Sequence, residues 1–174
     1  MLFRYIAIKK NKVNLAYDNV NSMGTRDSIS MKCDEEPAPS FRAALDNLAP
    51  VMSELCELSK QDAERITMQG VSISYHGDHN RMGIILSGFK KLLHSTGVMV
   101  INSPLRLERE DKENPKRDIS EELREMVDKL QDEAIKYLNG HRQQTTMKMD
   151  ERPEPPKQDK EPEKKPPKKK GAKK

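Results

Sequence analysis

Cysteine, glycine and aromatic residues are all scarce in this chain. Its 174 residues include two cysteines, eight glycines and no tryptophan, and aromatic residues make up 4% of the total. Cys33 and Cys56 are too far apart in sequence to form a CxxC pair, and two cysteines make no disulfide framework. The few, scattered glycines form neither a phosphate-binding loop nor a dinucleotide-binding fingerprint. The sequence therefore gives no support to a P-loop or Rossmann-type protein.

Long hydrophobic runs are also missing. No stretch approaches the roughly 18 consecutive apolar residues that a membrane-spanning helix needs. The first apolar run, residues 2–8, contains Arg4 and is followed by two lysines, unlike the hydrophobic segment of a secretory signal. We therefore expect a soluble cytoplasmic protein with no membrane association, whose two cysteines are free thiols in a reducing compartment.

Positive charge is concentrated at the C-terminal end. The chain has a formal net charge of +4. From Lys148 onward there are eleven Lys or Arg and six Asp or Glu, a balance of +5, which leaves −1 for residues 1–147. The sequence thus indicates a nearly neutral body that carries a basic arm, and not a basic fold.

Residues 146–174 have the composition of a segment that does not fold. They contain six prolines and no aromatic residue, and seven of the last eleven residues are lysines. Such a segment buries too little apolar surface to offset the entropy lost on ordering. We predict that residues 146–174 form a disordered Pro/Lys-rich basic tail.

The N-terminal third shows the alternation of apolar and polar residues that is typical of strands. It predicts strands over residues 2–9, 13–17 and 28–33. A polar turn at Lys10 to Lys12 joins the first two strands into a hairpin. Cys33 falls on the apolar face of the third strand, so we expect it to be a core residue.

A helix should follow, beginning at Ser40 as its N-cap. Its apolar stripe comprises Phe41, Leu45, Leu48, Met52, Leu55 and Leu58. Pro50 interrupts this stripe, and proline inside a helix removes a backbone hydrogen bond. We predict a kink, or two short helices that meet between Asn47 and Ala49, and then a short turn that starts at Ser59.

Three more strands are predicted in the middle of the chain, over residues 71–75, 82–86 and 98–101. The last of these is a nearly continuous apolar run. Such runs are typical of central strands that are buried on both faces. We therefore expect residues 98–101 to form a central strand.

The segment 104–120 holds five positive and five negative charges, and we interpret it as a solvated linker. Asp118 is the predicted N-cap of a last helix, with Glu121 as its capping-box partner. The apolar face of this helix comprises Leu123, Met126, Val127, Leu130, Ala134, Tyr137 and Leu138. Gly140 is the predicted C-terminal stop.

The predicted order of elements is β-β-β-α-β-β-β-α. Strands joined by short turns pair antiparallel, so the pattern predicts an α+β fold with an antiparallel sheet of about six strands and two helices on one face. We predict a single domain over residues 1–145, including the charged linker, followed by the tail.

The densest cluster of potential metal ligands is His76, Asp78 and His79. Two imidazoles and a carboxylate so close in sequence could hold a divalent metal in a small hydrolase. The alternative is an ordinary hairpin turn of polar residues. We favour the turn, because the next histidine, His94, lies in the following turn, and successive turns of a meander lie at opposite ends of the sheet. We assign no metal, cofactor or catalytic residue.

Two other sets of candidate catalytic residues have simpler interpretations. Cys56 could be a nucleophile, but a cysteine beside an apolar helical stripe more often fills the core. The carboxylates of the last helix alternate with lysine and arginine, which indicates a salt-bridged solvent face.

The lysines at the end of the tail are the strongest functional signal. Lysine interleaved with proline, glycine and alanine is typical of flexible arms that bind phosphate backbones without reading bases. The alternative is a solubilising tail. Without aromatic residues, the tail has no side chain on which bases could stack. The predicted nucleic-acid-binding residues are Lys164, Lys165, Lys168, Lys169, Lys170, Lys173 and Lys174.

Three runs carry a resemblance to known proteins: PAPSFRAALDNLAPVMSELCEL, GVSISYHGDHNRMGIILSGFKKLLHSTGVMVINSP and EAIKYLNGHRQQ. They resemble small proteins encoded by tailed bacteriophages and prophages, roughly over residues 27–145. The resemblance brings no catalytic motif that transfers to this chain. It implies a viral accessory protein acting in the host bacterial cytoplasm.

These observations lead to one main hypothesis and two alternatives. The main hypothesis is a non-enzymatic bacteriophage accessory protein associated with phage DNA replication or recombination. Its body would bind an unidentified protein partner, and its tail would bind nucleic acid. The alternatives are a small metal-dependent hydrolase that uses His76, Asp78 and His79, and a pure protein-binding module such as a host-factor inhibitor or a structural subunit.

Overall fold

Seven antiparallel strands form one open sheet in the computed structural model, which describes residues 1–22, 24–77, 81–108 and 118–142. The strands are β1 (Leu2–Lys9), β2 (Lys12–Val20), β3 (Arg26–Cys33), β4 (Ile66–His76), β5 (Arg81–Lys91), β6 (Val98–Asn102) and β7 (Arg106–Leu107). Their order across the sheet is β3-β2-β1-β4-β5-β6, and β7 also pairs with β5. The predicted α+β class and antiparallel sheet are confirmed, while the predicted tail lies outside the described residues.

The hairpin between β1 and β2 has a two-residue turn. Lys10 and Asn11 both have positive φ angles, 49° and 63°, and the flanking residues Lys9 and Lys12 are paired. Two successive positive φ angles are typical of a type I′ turn, whose twist matches that of the strands it joins. The predicted hairpin is therefore confirmed.

Four helices lie among the described residues: α1 (Pro39–Asp46), α2 (Ala49–Leu55), α3 (Lys60–Ala63) and α4 (Glu121–Leu138). The first predicted helix is two helices, α1 and α2, as Pro50 indicated. Pro50 lies in the first turn of α2, where its missing N–H costs no helical hydrogen bond. The short turn predicted at Ser59 is α3, and both the N–H and the hydroxyl of Ser59 donate to Asp62 Oδ2.

Two predicted helix caps are wrong. Helix α1 has Ala38 as its N-cap, because Pro39 already has the φ angle of a first helical residue, and Ser40 Oγ instead donates to Glu133 at 2.5 Å. Helix α4 is capped by Ser120, whose Oγ accepts from the N–H of Leu123 at 3.2 Å. Asp118 lies two residues too early, in a parallel bridge with Leu107.

The hydrophobic core lies between the sheet and the helices. Alternate side chains of the central strands pack there against α1, α2 and α4, including Ile6, Ile8, Val71, Ile73, Ile84 and Leu86. Tyr137 of α4 is fully buried, with its ring centroid 5.8 Å from that of Phe41. Its hydroxyl donates to the carbonyl oxygen of Glu35 at 2.8 Å, and burial raises the pKa of Tyr137. Tyr137 therefore joins α4, α1 and the segment after β3.

The prediction of a central strand at residues 98–101 is wrong. Strand β6 is the last strand in the sheet order, and only Ile101 of residues 98–101 is buried. The physical reason lies in the next segment. After Pro104 the chain continues as β7 along the same side of β5, where Leu107 pairs with Gly83. No later described strand therefore covers β6.

The start of the predicted linker is part of the sheet, and residues 109–117 lie outside the described residues. All described residues fall in one unit, Met1–Gln144.

Helices α2 and α4 end in the same way but with different residues. Glu57 has φ of 54° and Gly140 has φ of 92°. In each case two backbone N–H groups close the last turn, as when Leu58 N donates to Ser53 O at 2.9 Å. This left-handed ending favours glycine, as predicted at Gly140, but at Glu57 a side chain occupies the strained position.

We predict that Glu57→Gly stabilises the fold by about 1 kcal/mol, because it removes the strain of a left-handed L-residue. Urea denaturation measures this. Glu57→Ala is the matched control, since it removes the carboxylate but keeps the Cβ atom, and it should bring no such gain. Equal stability of the Gly and Ala variants would show that the position is unstrained.

Candidate functional site

The histidine cluster predicted from sequence is only partly described. His76 is the last residue of β4, and its Nε2 lies 2.7 Å from Ser74 Oγ. Asp78 and His79 lie outside the described residues. His94 lies in the turn after β5, and the 11 residues of that strand separate the two turns. As predicted, the turns lie at opposite ends of the meander, and the described residues contain no group of three potential metal ligands.

Cys56 is packed between α2 and β6. Its Sγ lies 4.0 Å from Met52 Sδ and 3.7 Å from the carbonyl oxygen of Asn102. Burial raises the pKa of the Cys56 thiol. A nucleophilic cysteine needs the opposite change, because the thiolate is the reactive form. The contacts of Cys56 therefore fit a packing role, as does the partly buried position of Cys33 against the core.

Helix α4 takes part in two ordinary ion pairs, one through the carboxylate of Glu133 and one through Arg124. Glu133 lies 2.6 Å from Lys136, and hydrogen bonds from Lys136 and Ser40 hold the pKa of Glu133 below its usual range. Arg124 pairs with Glu108, next to β7, at 2.5 Å. These pairs fit the predicted salt-bridged face.

The most unusual surface of the described chain surrounds β6. Val98 is 56% exposed, Met99 41% and Val100 64%. Three more exposed apolar residues lie close in sequence, before and after the strand: Leu92, Leu93 and Leu105. We call residues 98–102 together with their outward backbone groups the β6 edge. Large exposed apolar patches of this kind mark interaction surfaces more often than isolated exposed residues do.

Backbone hydrogen bonds show which groups of β6 face outward. Gly97 O accepts from Leu92 N at 3.3 Å, and Ser103 N donates to Leu86 O at 2.9 Å. Because the pairing alternates along an antiparallel strand, the odd-numbered residues from Gly97 to Ser103 bond to β5. The N–H and C=O groups of Val98, Val100 and Asn102 therefore point away from the sheet. The contact of Cys56 with Asn102 O fits this direction.

A groove runs beside the β6 edge on its helical side. It has a volume of about 510 Å³. Six of its eight lining residues are apolar or cysteine, and the other two are Glu57 and Asn102; the six are Leu55, Cys56, Leu58, Val100, Ile101 and Pro104. An extended segment that paired with β6 could place alternate side chains in this groove.

The β6 edge also lacks the charges that usually protect an exposed strand. Edge strands commonly carry lysine or other charged residues that discourage pairing with another chain. The opposite edge of the sheet, β3, has exposed Arg26, Asp27 and Lys32. Residues 98–105 contain no charged residue. Two lysines of β5 pair in register with β6 residues: Lys90, opposite Met99, is held by Asp62 at 2.9 Å, and Lys91, opposite Val98, is exposed.

Sequence reasoning missed the β6 edge because it interpreted the apolar run as buried. One signal could have revealed the edge. Leu105 and Leu107 alternate with polar residues directly after Pro104, which is typical of a short strand that continues along an edge. The seven lysines predicted to bind nucleic acid lie outside the described residues.

Comparisons with protein-family models, with curated proteins and with solved structures found no match to this chain. Among the described residues, no helix has the length and apolar character needed to cross a membrane.

The raised pKa of Cys56 predicts slow alkylation. In the folded protein, iodoacetamide should modify Cys56 slowly at neutral pH, and the rate should rise only as the pH passes above the usual thiol pKa. Mass spectrometry of the Cys56 peptide measures this separately from Cys33. The same protein in urea is the control and should react at the rate of a free thiol. Rapid modification of folded protein at neutral pH would contradict the packing role.

Proposed function

We propose that this chain is a non-enzymatic bacteriophage accessory protein associated with phage DNA replication or recombination. Its folded body binds a protein partner through the β6 edge, and its C-terminal lysines bind nucleic acid without sequence preference. The observation that carries this proposal is the exposed, uncharged β6 edge. The resemblance to proteins of tailed phages and prophages supports the biological setting.

The body has the features of a binding surface. Its β6 edge offers outward backbone donors and acceptors at Val98 and Val100, together with the outward N–H of Asn102, whose carbonyl oxygen lies 3.7 Å from Cys56 Sγ. The edge lies beside the groove that Leu55 and Leu58 help to line. Recognition by strand addition uses these two features together, because backbone pairing provides affinity and adjacent pockets provide specificity. The described candidates for catalysis, His76 and Cys56, instead make ordinary local contacts.

The arm supplies the second contact. By formal charge, the body is nearly neutral and the segment from Lys148 carries +5. Glu151, Glu154, Glu161 and Glu163 reduce the positive charge in its first part, whereas residues 164–174 contain seven lysines and no acidic residue. The last eleven residues are therefore the expected contact with phosphate groups, since release of counterions from the phosphates drives such binding.

We predict that replacing the seven terminal lysines with glutamine abolishes binding to duplex DNA at low salt. The variant keeps the length and prolines of the native chain. If all seven lysines contact phosphates, log K of the native protein should fall with log salt with a slope of roughly −6. Fluorescence anisotropy with a labelled duplex measures both quantities.

The matched control replaces Lys148, Lys157 and Lys160, which lie among the acidic residues, and this variant should retain most of the binding. A second variant ends at Thr146 and should lose DNA binding while its circular dichroism keeps the helix and strand signals of the body. Unchanged DNA binding by this shortened chain would remove the nucleic-acid role. The pure protein-binding module would then be the better description, because it depends on the β6 edge alone.

A further inference from the structure

The β6 edge imposes a definite geometry on whatever binds it. The outward groups of Val98, Val100 and Asn102 repeat at every second residue, so they are satisfied by another extended strand. A helix has no free backbone groups along its side to pair with them. The occupant is therefore a strand.

We propose that this strand is β6 of a second copy of the same chain, paired antiparallel about a two-fold axis at Val100. The inference rests on the proposed protein-binding function of the β6 edge and names its partner. In this arrangement Val100 faces Val100 of the second copy, and Val98 faces Asn102. Met99 faces Ile101 on the side of the groove.

The side chains of β6 suit this self-pairing. Val98 and Val100 project to one face of the sheet and Met99 and Ile101 to the other, because strand residues alternate. Each copy thus places apolar residues opposite apolar residues at the two-fold axis. On the helical side, Met99 of one copy extends toward the groove of the other, near Leu58. Pairs of β-branched residues across an antiparallel ladder stabilise it.

Charge favours a second copy over the other edge of the sheet. Self-pairing of β6 brings no charged residues together, since residues 98–105 carry none. Pairing of β6 with β3 of another molecule would place an apolar strand against exposed Arg26, Asp27 and Lys32. That pairing would also be head-to-tail and would leave a free edge at each end, whereas a two-fold pairing closes.

The segments outside the described residues are poor alternatives for covering the β6 edge. Residues 109–117 read REDKENPKR and contain no aliphatic or aromatic side chain. Residues 143–174 contain only Met147 and Met149 as large apolar side chains, together with six prolines. Proline cannot donate to a ladder. A copy of β6 offers the apolar alternation that these segments lack.

Such a dimer would carry two lysine-rich segments. It would join the six strands on the main path of each copy into one sheet. Two linked binding segments bind DNA more tightly than one, because the second contact forms at a high effective concentration. The dimer therefore strengthens the proposed nucleic-acid function without requiring new contacts.

Sedimentation equilibrium of the full chain, over about 1–100 μM, tests the inference. The native protein should sediment as a dimer in the upper part of this range. Val100→Lys places two like charges opposite each other at the two-fold axis, so it should raise the dimer dissociation constant at least about tenfold. Ile135→Lys is the matched control, because Ile135 is an exposed apolar residue of α4, and it should leave the dimer unchanged.

Cysteine cross-linking tests the register. Val100→Cys should form a disulfide-linked dimer on mild oxidation, because directly opposed residues of an antiparallel pair have Cα atoms about 5.5 Å apart. Val98→Cys is the control on the same face of β6. The two copies of residue 98 lie roughly 13 Å apart along the strand, so they should not cross-link. The native chain, with Cys33 and Cys56, gives the background.

The outcomes separate this inference from the proposed function. A native chain that is monomeric throughout the range, a dimer insensitive to Val100→Lys, or equal cross-linking at residues 98 and 100 would overturn the two-fold pairing. If DNA binding in that case still depends on the terminal lysines, the nucleic-acid role stands and only the inference fails. Conversely, a dimer that meets all these expectations but binds DNA independently of the lysines retains the inference alone. An unchanged circular dichroism spectrum of Val100→Lys confirms that its fold is intact, since loss of the dimer alone would lower the thermal unfolding temperature.

Discussion

The backbone N–H and C=O groups of strand β5 must be hydrogen-bonded on both sides of the strand. The positions of β6 and β7 depend on how this is achieved. On one side β5 pairs with β4 along its whole length, from Arg81 to Lys90. On the other side it pairs with two short strands in succession, β6 and then β7. Ser103 joins these two pairings, since its N–H donates to Leu86 O and its hydroxyl accepts from Leu86 N. Because β7 uses the remaining length of β5, no later strand of the described residues covers β6.

The helices pack on one face of the sheet and leave the β6 edge accessible. Asp62 of α3 holds Lys90 and Arg65 at 2.9 and 3.3 Å, and the bond from Lys90 keeps the pKa of Asp62 below its usual range. Of the two β5 lysines that lie opposite β6, Lys90 is thus already paired, while Lys91 lies exposed opposite Val98. Helix α2 ends beside Asn102 through the contact of Cys56, so the wall of the groove is part of the core packing and is in place before any partner binds. A preformed surface loses less entropy on binding than one that must first be ordered.

Alternation in the sequence predicted most of the fold, because alternation is a local property of a strand. The β1–β2 hairpin, the break before Pro50 and the glycine stop at Gly140 each depend on a few neighbouring residues, and all three are confirmed. The caps at Ser40 and Asp118 were wrong because distant partners decide them. Ser40 bonds to Glu133, and Asp118 bridges to Leu107. The apolar run alone could not predict the exposed position of β6 for the same reason, since such a run shows that a strand prefers burial but does not show which strand lies beside it.

The apolar run at residues 98–101 nevertheless carries physical information. A strand of this composition has the pattern of one that is buried on both faces and paired on both sides. Among the strands that the structure describes, only β5 pairs with it. Val98, Met99 and Val100 thus keep apolar surface in water, and burying a side chain of this kind fully is worth about 1.5–3 kcal/mol. Two-fold pairing at Val100 would place β6 between β5 and its own copy, which is the central position that its sequence indicates. The mismatch between the sequence of β6 and its place in the monomer is therefore the physical argument for an assembly in which that strand has neighbours on both sides.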